Sequence, residues 1–188
     1  MGKSATGKDT IYKELLKNEA LGLRAMVPYT TRPIRAGETE GVEYRFTDEE
    51  TYKQLASENR VIESRIYDTV HGLWRYFTVA DAHMELERYN YCMIGTLEAY
   101  VNIREYFGES RVLPVLIELD DGERLERAIA RERSQEEPRY EEMCRRFLAD
   151  NADFSEERIA RAGITRRFRN NALESCLEEV AEYIREHI

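Results

Sequence analysis

The chain has 188 residues, 42% of them hydrophobic and 35% charged, enough for one packed core carrying solvated helices. Its formal net charge of −9 argues against non-specific nucleic-acid binding, which needs phosphate neutralisation by Lys and Arg. No apolar run approaches the ~20 residues of a membrane span and no secretory leader is legible. Cys92, Cys144 and Cys176 have neither metal nor redox spacing, so the chain reads as a cytoplasmic, reduced protein with three small buried hydrophobic thiols.

The chain opens on the loop Gly2, Lys3, Ser4, Ala5, Thr6, Gly7, Lys8, Asp9, followed by Thr10. This is the spacing of a phosphate cradle, with Asp9 where a Ser or Thr is expected. Such a loop presents consecutive backbone N–H groups to an anion, and the helix after it adds its positive end. Lys8 would reach the outer phosphates, while Asp9 and Thr10 supply oxygen atoms of the kind Mg²⁺ takes. The alternative is a Gly- and Lys-containing turn that only starts a helix. A cradle normally follows a buried strand. With only Met1 upstream, the expectation is that in-frame upstream codons encode a short apolar strand.

Residues 9–18 are predicted helical, with Ile11, Leu15 and Leu16 on one face. Residues 23–29 read as an apolar strand, 30–41 as a polar loop and 42–46 as a strand. Thr47 to Glu50 form a capping-box signature opening a helix to about residue 58. Residues 60–67 and 73–78 alternate as two strands about a turn at His71 and Gly72, and a helix is expected at 79–88. Residues 91–96 and 111–120 are compact apolar runs suited to buried parallel strands. Helices are expected at 97–107, 122–133 and 141–151, then a strand at 164–168. A last helix at 171–187 would be boxed by Asn171 and Glu174. Strand–helix alternation predicts an α/β fold with a parallel sheet, and 30–80 an antiparallel lobe inserted into it. His71, His83 and His187 form no cluster and read as a turn residue and two solvated helix residues.

Thr30, Thr31, Arg32, Arg35, Gly37, Glu38, Gly41, Tyr44 and Phe46 carry a second signal. Two arginines three apart on a glycine-containing loop, then a tyrosine on a strand, suit a phosphate monoester, because Arg forks bind phosphate oxygens bidentately. A charged surface hairpin is the plain alternative. With the loop at 2–9 in register before it, this stretch resembles the signature of the guanylate kinase family.

The resemblance implies a P-loop NTPase three-layer α/β fold with one domain. Its core would be 1–29, 80–130 and 156–188, its acceptor lobe 30–79 and its helical lid 131–155. It implies ATP and Mg²⁺ as cofactors, and phosphoryl transfer to a nucleoside monophosphate, GMP first. Residues 2–9 and Lys8 would bind the ATP phosphates, with Asn170 near adenine. Arg32, Arg35 and Tyr44 would hold the acceptor's phosphate, and Glu63 the guanine base. Arg131 or Arg133, with Arg146, would close on the transferring group. The sequence departs from the family in the acceptor lobe. Arg75 stands for a phosphate-contacting tyrosine, either replacing it as a phosphate donor or standing as an exposed strand charge, and Phe77 stands for a base-contacting hydroxyl. Gly95 and Leu97 stand for an acidic pair, with Glu98 the nearest carboxylate, and Pro28 for a serine. Two rivals follow from these departures. One is a kinase for a different phosphorylated acceptor, and the other is a non-catalytic module that binds phosphorylated peptides.

Overall fold

A computed structural model describes residues 1–35, 37–69, 72–81 and 84–188. His71 and His83 lie outside the described residues. The exposed His187 ring packs on Tyr183, 4.4 Å between centroids.

The helix after the opening loop, α1 (Lys8–Lys17), buries Ile11 and Leu15. The apolar stretch expected as one strand at 23–29 splits into β1 (Arg24–Ala25) and β2 (Tyr29–Thr30). Pro28, which has no N–H to give a ladder, stands between them. There the chain changes sheets, since β1 pairs in parallel with β6 (Tyr91–Cys92) while β2 joins a four-stranded sheet. That sheet runs in the order β3 (Arg45–Phe46), β2, β5 (Gly72–Val79), β4 (Val61–Thr69). Its β4–β5 hairpin is antiparallel, as expected, but β2 and β3 run parallel.

Between β3 and β4, α2 (Glu49–Ser57) is capped by Asp48, whose carboxylate accepts from the Thr51 N–H at 2.8 Å. The Thr47/Glu50 box is therefore displaced by one residue. Among the described residues of 79–88 no helix forms. Val79 still belongs to β5, and residues 84–90 form isolated turns with Glu85, Leu86, Glu87 and Arg88 exposed. Without an apolar face to bury, so short a segment does not offset the cost of helix nucleation.

After β6 come α3 (Leu97–Phe107), a 3₁₀ turn at Glu109–Arg111 and β7 (Leu116–Glu118). They are followed by α4 (Asp121–Arg133), α5 (Tyr140–Asp153), α6 (Glu156–Arg161), β8 (Arg167–Arg169) and α7 (Leu173–Arg185). Helix α6 was not legible in the sequence. The cap of α7 is Ala172 without a side-chain bond, so the Asn171/Glu174 box does not form.

Strands β7 and β8 are parallel and form the middle layer. Alternation along β7 sends Ile117 to one face, where Ile11, Leu15, Phe168, Val180 and Ile184 from α1, β8 and α7 meet it. Leu116 faces the other way, onto Leu97, Tyr100, Phe154 and Ile159 from α3, α5–α6. Met1 lies along β7: its carbonyl accepts from the Ile117 N–H at 2.9 Å and its nitrogen donates to the Val115 carbonyl at 2.8 Å. The opening loop thus starts at the C-terminal edge of a buried strand pair, where ligands of open α/β sheets bind. A third, smaller core joins Leu55, Phe77 and Val79 under the four-stranded sheet. Among the described residues, no helix is long and apolar enough to cross a membrane. Cys176 is buried as expected, but Cys144 is exposed on the outer side of α5.

Candidate functional site

The loop at 2–9 has the backbone of an anion nest. Gly2 lies so close to β7 that a Cβ there would stand 2.3 Å from the Ile117 carbonyl oxygen. Gly7 has φ +83°, and its Cβ would stand 2.3 Å from Asn170 Nδ2. Ala5 takes the left-handed region at φ 64°, where a side chain costs about 1 kcal/mol over glycine. Among the described residues, no acceptor takes the backbone N–H groups of residues 5–10. They and the positive end of α1 form one electropositive cup. Lys8 stands at its rim, its Nζ 3.4 Å from the exposed Asp9 carboxylate, and Thr10 is exposed beside it.

Two struts hold the cup. Asn170 is buried beneath it and donates to the Thr6 carbonyl at 2.8 Å, while its own Oδ1 has no partner among the described residues. Arg124, with a side chain 0% exposed, is the second. It donates to the Ser4 carbonyl (3.0 Å), Asp150 (3.2 Å), Asn151 (3.3 Å) and Asp121. Asp150 in turn accepts the Ser4 N–H at 2.7 Å, and Lys3 bonds Asn151 and Asp121. Of the loop residues, Lys3 and Ser4 are thus committed to α4 and α5, and the open donors begin at Ala5. A cavity of about 390 Å³ lies beside Lys3 and Thr6, walled by Glu118, Asp120, Arg169 and Asn171 at the ends of β7 and β8.

On α4, Arg127 donates to the Asn170 carbonyl at 3.3 Å and borders the cup at Gly7. Arg131 is one turn further along the same face, exposed, whereas Arg133 is turned some 200° away from it. Arg146 on α5 donates to Glu142 at 2.9 Å. Arg145, with Arg146 beside it, holds the Glu142 carboxyl down at about 2. Arg127 was missed in the sequence, although its four-residue spacing from Arg131 on one helix was there to be read.

The second cluster lies on one face of the four-stranded sheet. Arg32, 2% exposed, is gripped by Glu38 through both forks (2.8 and 3.0 Å), and its Nε donates to the Tyr76 hydroxyl at 3.1 Å. The Arg32 hydrogen bond holds the Glu38 carboxyl below the usual range. Tyr44 packs edge-on against Tyr76, 5.5 Å between centroids, and burial pushes its hydroxyl up. Arg35 is exposed at the rim, over the Trp74 ring at 5.7 Å. Strand parity explains which neighbours join. Tyr76 pairs with Arg65 and Thr78 with Glu63 across the hairpin, so these four share the Arg32 face. Arg75 and Phe77 occupy the opposite face. Phe77 is core, and Arg75 donates to Glu49 at 2.6 Å and stacks on Tyr52 at 3.8 Å. The structure thus brings Arg32, Tyr44 and Glu63 together but not Arg75. Tyr76 and Thr78 place a phenol and a hydroxyl on the Arg32 face, one position after Arg75 and Phe77.

Glu63 has a fully buried carboxylate that accepts from Thr78 Oγ1 (2.7 Å) and from Arg65 Nε (3.0 Å) and Nη2 (3.3 Å). Arg65 Nη1 reaches Thr96 Oγ1 at 3.0 Å, and Thr96 caps α3. This bond ties the Arg32 face of the sheet to the segment after β6. Leu97 is core and Glu98 is exposed. Among the described residues, no group of three or more acidic, His or Cys side chains could hold a metal without a ligand's help.

The guanylate kinase family model matches residues 1–74. A guanylate kinase of Caldanaerobacter subterraneus subsp. tengcongensis is 31% identical over 117 residues, 61% of this chain and 54% of that protein. The guanylate kinase of Thermobifida fusca is 44% identical over 62 residues, 33% of this chain and 31% of the relative. A solved guanylate kinase from Anaplasma phagocytophilum matches with a TM-score of 0.62 and 19% identity, over 100% of this chain and 84% of that one. The first 74 residues thus match the guanylate kinase family, and the fold of the whole chain is like that of a solved guanylate kinase.

The solved structure extends the likeness in fold to the whole chain, including the part beyond residue 74. The chain spans about a third to a half of the length of the curated relatives it matches. The matched segment at 1–74 holds the cup at residues 5–10 and the Arg32–Glu38–Tyr44 cluster. It ends at Trp74, just before Tyr76 and Thr78.

Proposed function

We propose that this chain transfers the terminal phosphoryl group of ATP to a nucleoside monophosphate, with GMP the first acceptor to be tried. One observation carries the reading: two anion seats of different build stand in one chain, a backbone cup at residues 5–10 and an Arg–Tyr cluster at Arg32, Tyr44 and Tyr76. A phosphoryl donor and a phosphorylated acceptor need two such seats, and transfer between them is catalysed chiefly by alignment and charge neutralisation.

In this reading the cup and Lys8 take the β- and γ-phosphates of ATP, and the cavity by Asn171 takes its nucleoside end. Arg32, pre-set by Glu38, and the Tyr44 and Tyr76 hydroxyls orient the acceptor's phosphate, with Arg35 at the entrance. Arg131, with Arg127 behind it, closes over the moving group as α4 and α5 swing in, and Arg146 and Arg133 are further candidates at that lid. Lid closure excludes the water that would otherwise hydrolyse ATP. Asp9 and Thr10 are exposed oxygen donors at the cup's rim, which suits Mg²⁺, a hard cation that takes its other ligands from phosphate and water. When bound, Mg²⁺ neutralises phosphate charge. The core, acceptor-lobe and lid division at 30–79 and 131–155, a cytoplasmic location, and nucleotides in place of nucleic acid or membrane as partners belong to the same reading.

Arg32→Gln tests it. It removes the charge, and Tyr76 and Glu38 keep a hydrogen-bonding neighbour. The expected result is a fall of about 100-fold or more in turnover, the cost of deleting one preorganised donor, with ATP affinity unchanged by titration. Turnover within a few-fold of the parent would remove the acceptor seat. Binding of a phosphorylated peptide without ADP formation would favour the binding-module rival.

A further inference from the structure

We propose that Arg65 sets the base specificity of the acceptor seat by turning its reading edge from accepting to donating. The site then takes 6-oxopurine monophosphates through their O6/N7 edge and does not read the 2-amino group of guanine. The inference rests on the kinase reading only for where the nucleotide lies.

Arg65 pairs directly across the hairpin with Tyr76, the residue bonded to Arg32. The Glu63–Thr78 pair lies two residues further along the strands, about 7 Å away at 3.3–3.4 Å per residue. A phosphate held at Arg32 and Tyr76 therefore has its base over Arg65 and Glu63. The donor edge of guanine, N1–H and the 2-amino group, needs an acceptor there. Glu63 is the buried carboxylate of this face, and three of its about four acceptor sites are taken, one by Thr78 and two by Arg65, so it does not take N1–H and the 2-amino group together. Gly95 and Leu97 bring no second carboxylate.

Arg65 has donors to spare. A guanidinium carries five N–H groups, and Glu63 and Thr96 take three of those on Arg65 among the described residues. The two that remain are one on Nη1 and one on Nη2. A fork of two parallel donors matches two adjacent acceptors, and O6/N7 of guanine is the pair that arginine reads best. Adenine offers N7 with an amino group, which sets a donor against a donor. Hypoxanthine keeps O6 and N7 and lacks only the 2-amino group.

The test is calorimetric titration of the full chain with GMP, IMP and AMP, beside ADP formation from ATP and Mg²⁺ with each. The expected result is GMP and IMP within about fivefold of each other and AMP at least tenfold weaker, the discrimination of one bidentate pair. Arg65→Ala frees Glu63 to accept from N1–H and the 2-amino group, so the GMP-to-IMP ratio should rise beyond tenfold. A parent protein that prefers GMP over IMP by more than about fivefold, that takes AMP equally, or that binds none of the three overturns the inference, whatever the variant's stability. Selective binding without ADP formation would instead refute the kinase reading and leave the role of Arg65 standing.

Discussion

Arg124→Ala should lower the stability of the chain by about 3 kcal/mol, read as a shift of the denaturation midpoint at unchanged slope. Its guanidinium is fully buried and joins the Ser4 carbonyl, Asp121, Asp150 and Asn151, with the Phe147 ring 4.7 Å beneath it. Removing one partner of a buried pair leaves the others desolvated and unpaired, which costs about 3–5 kcal/mol. Asp121 and Asp150 retain some solvent, so the low end of that range applies. Burial pushes the Asp121 carboxyl up, but Arg124 and Lys3 outweigh it and hold it below the usual range. A depressed carboxylate stabilises the fold above its unfolded pKa, about 3.9, and the contribution fades as pH falls through the folded value. The gap between parent and variant should therefore narrow in acid. The double variant Arg124→Leu with Asp150→Leu should recover only part of the loss, since the Asp150 charge goes with its partner but Asp121 and the Ser4 N–H and carbonyl each still lose one. A midpoint shift worth under about 0.5 kcal/mol, the range of ordinary surface substitutions, would show that the network does not clamp the loop.

The second large effect is on nucleotide binding. Lys8→Ala should cut turnover, and ATP affinity with it, by about 100- to 1000-fold, the loss seen when one preorganised charge-stabilising group is removed. Lys8 is the first residue of α1, and its ammonium has the exposed Asp9 as its ion-pair partner. The fold should not notice the change, so the denaturation midpoint is the control. Lys8→Arg should restore charge without full activity, because a planar fork does not replace a compact ammonium at a crowded phosphate. Unchanged ATP binding in Lys8→Ala would mean that the cup does not hold phosphate through this residue.

Much of this was legible in local pattern. The cup is a backbone motif with fixed spacing, and the Arg32 loop carries its glycines and charges in a row, so both could be read before any packing was known. The acceptor face could not. Residues 73–79 are aromatic or apolar at 73, 74, 76, 77 and 79, so alternation there does not say which parity faces the core. Pairing with β4 decides it. Phe77 falls opposite Ser64 over Tyr52, and Tyr76 falls opposite Arg65. The substitution of Arg75 for a tyrosine is thus a matter of register, and the hydroxyls stand one position later. Arg124 was hidden for a similar reason. In the string DGERLERAIARER nothing separates it from its charged neighbours, and its burial comes from α5, some 25 residues downstream. The residue-79 helix failed from the opposite side, since helix-forming residues were present without an apolar face to hold them.

The most direct test of the two-seat account is ADP formation from ATP and Mg²⁺, measured with and without GMP. The account predicts ADP release that depends on GMP and saturates in it, with GDP formed in equal amount. ATP that is bound but never turned over with GMP, or is hydrolysed at the same rate in its absence, would contradict it.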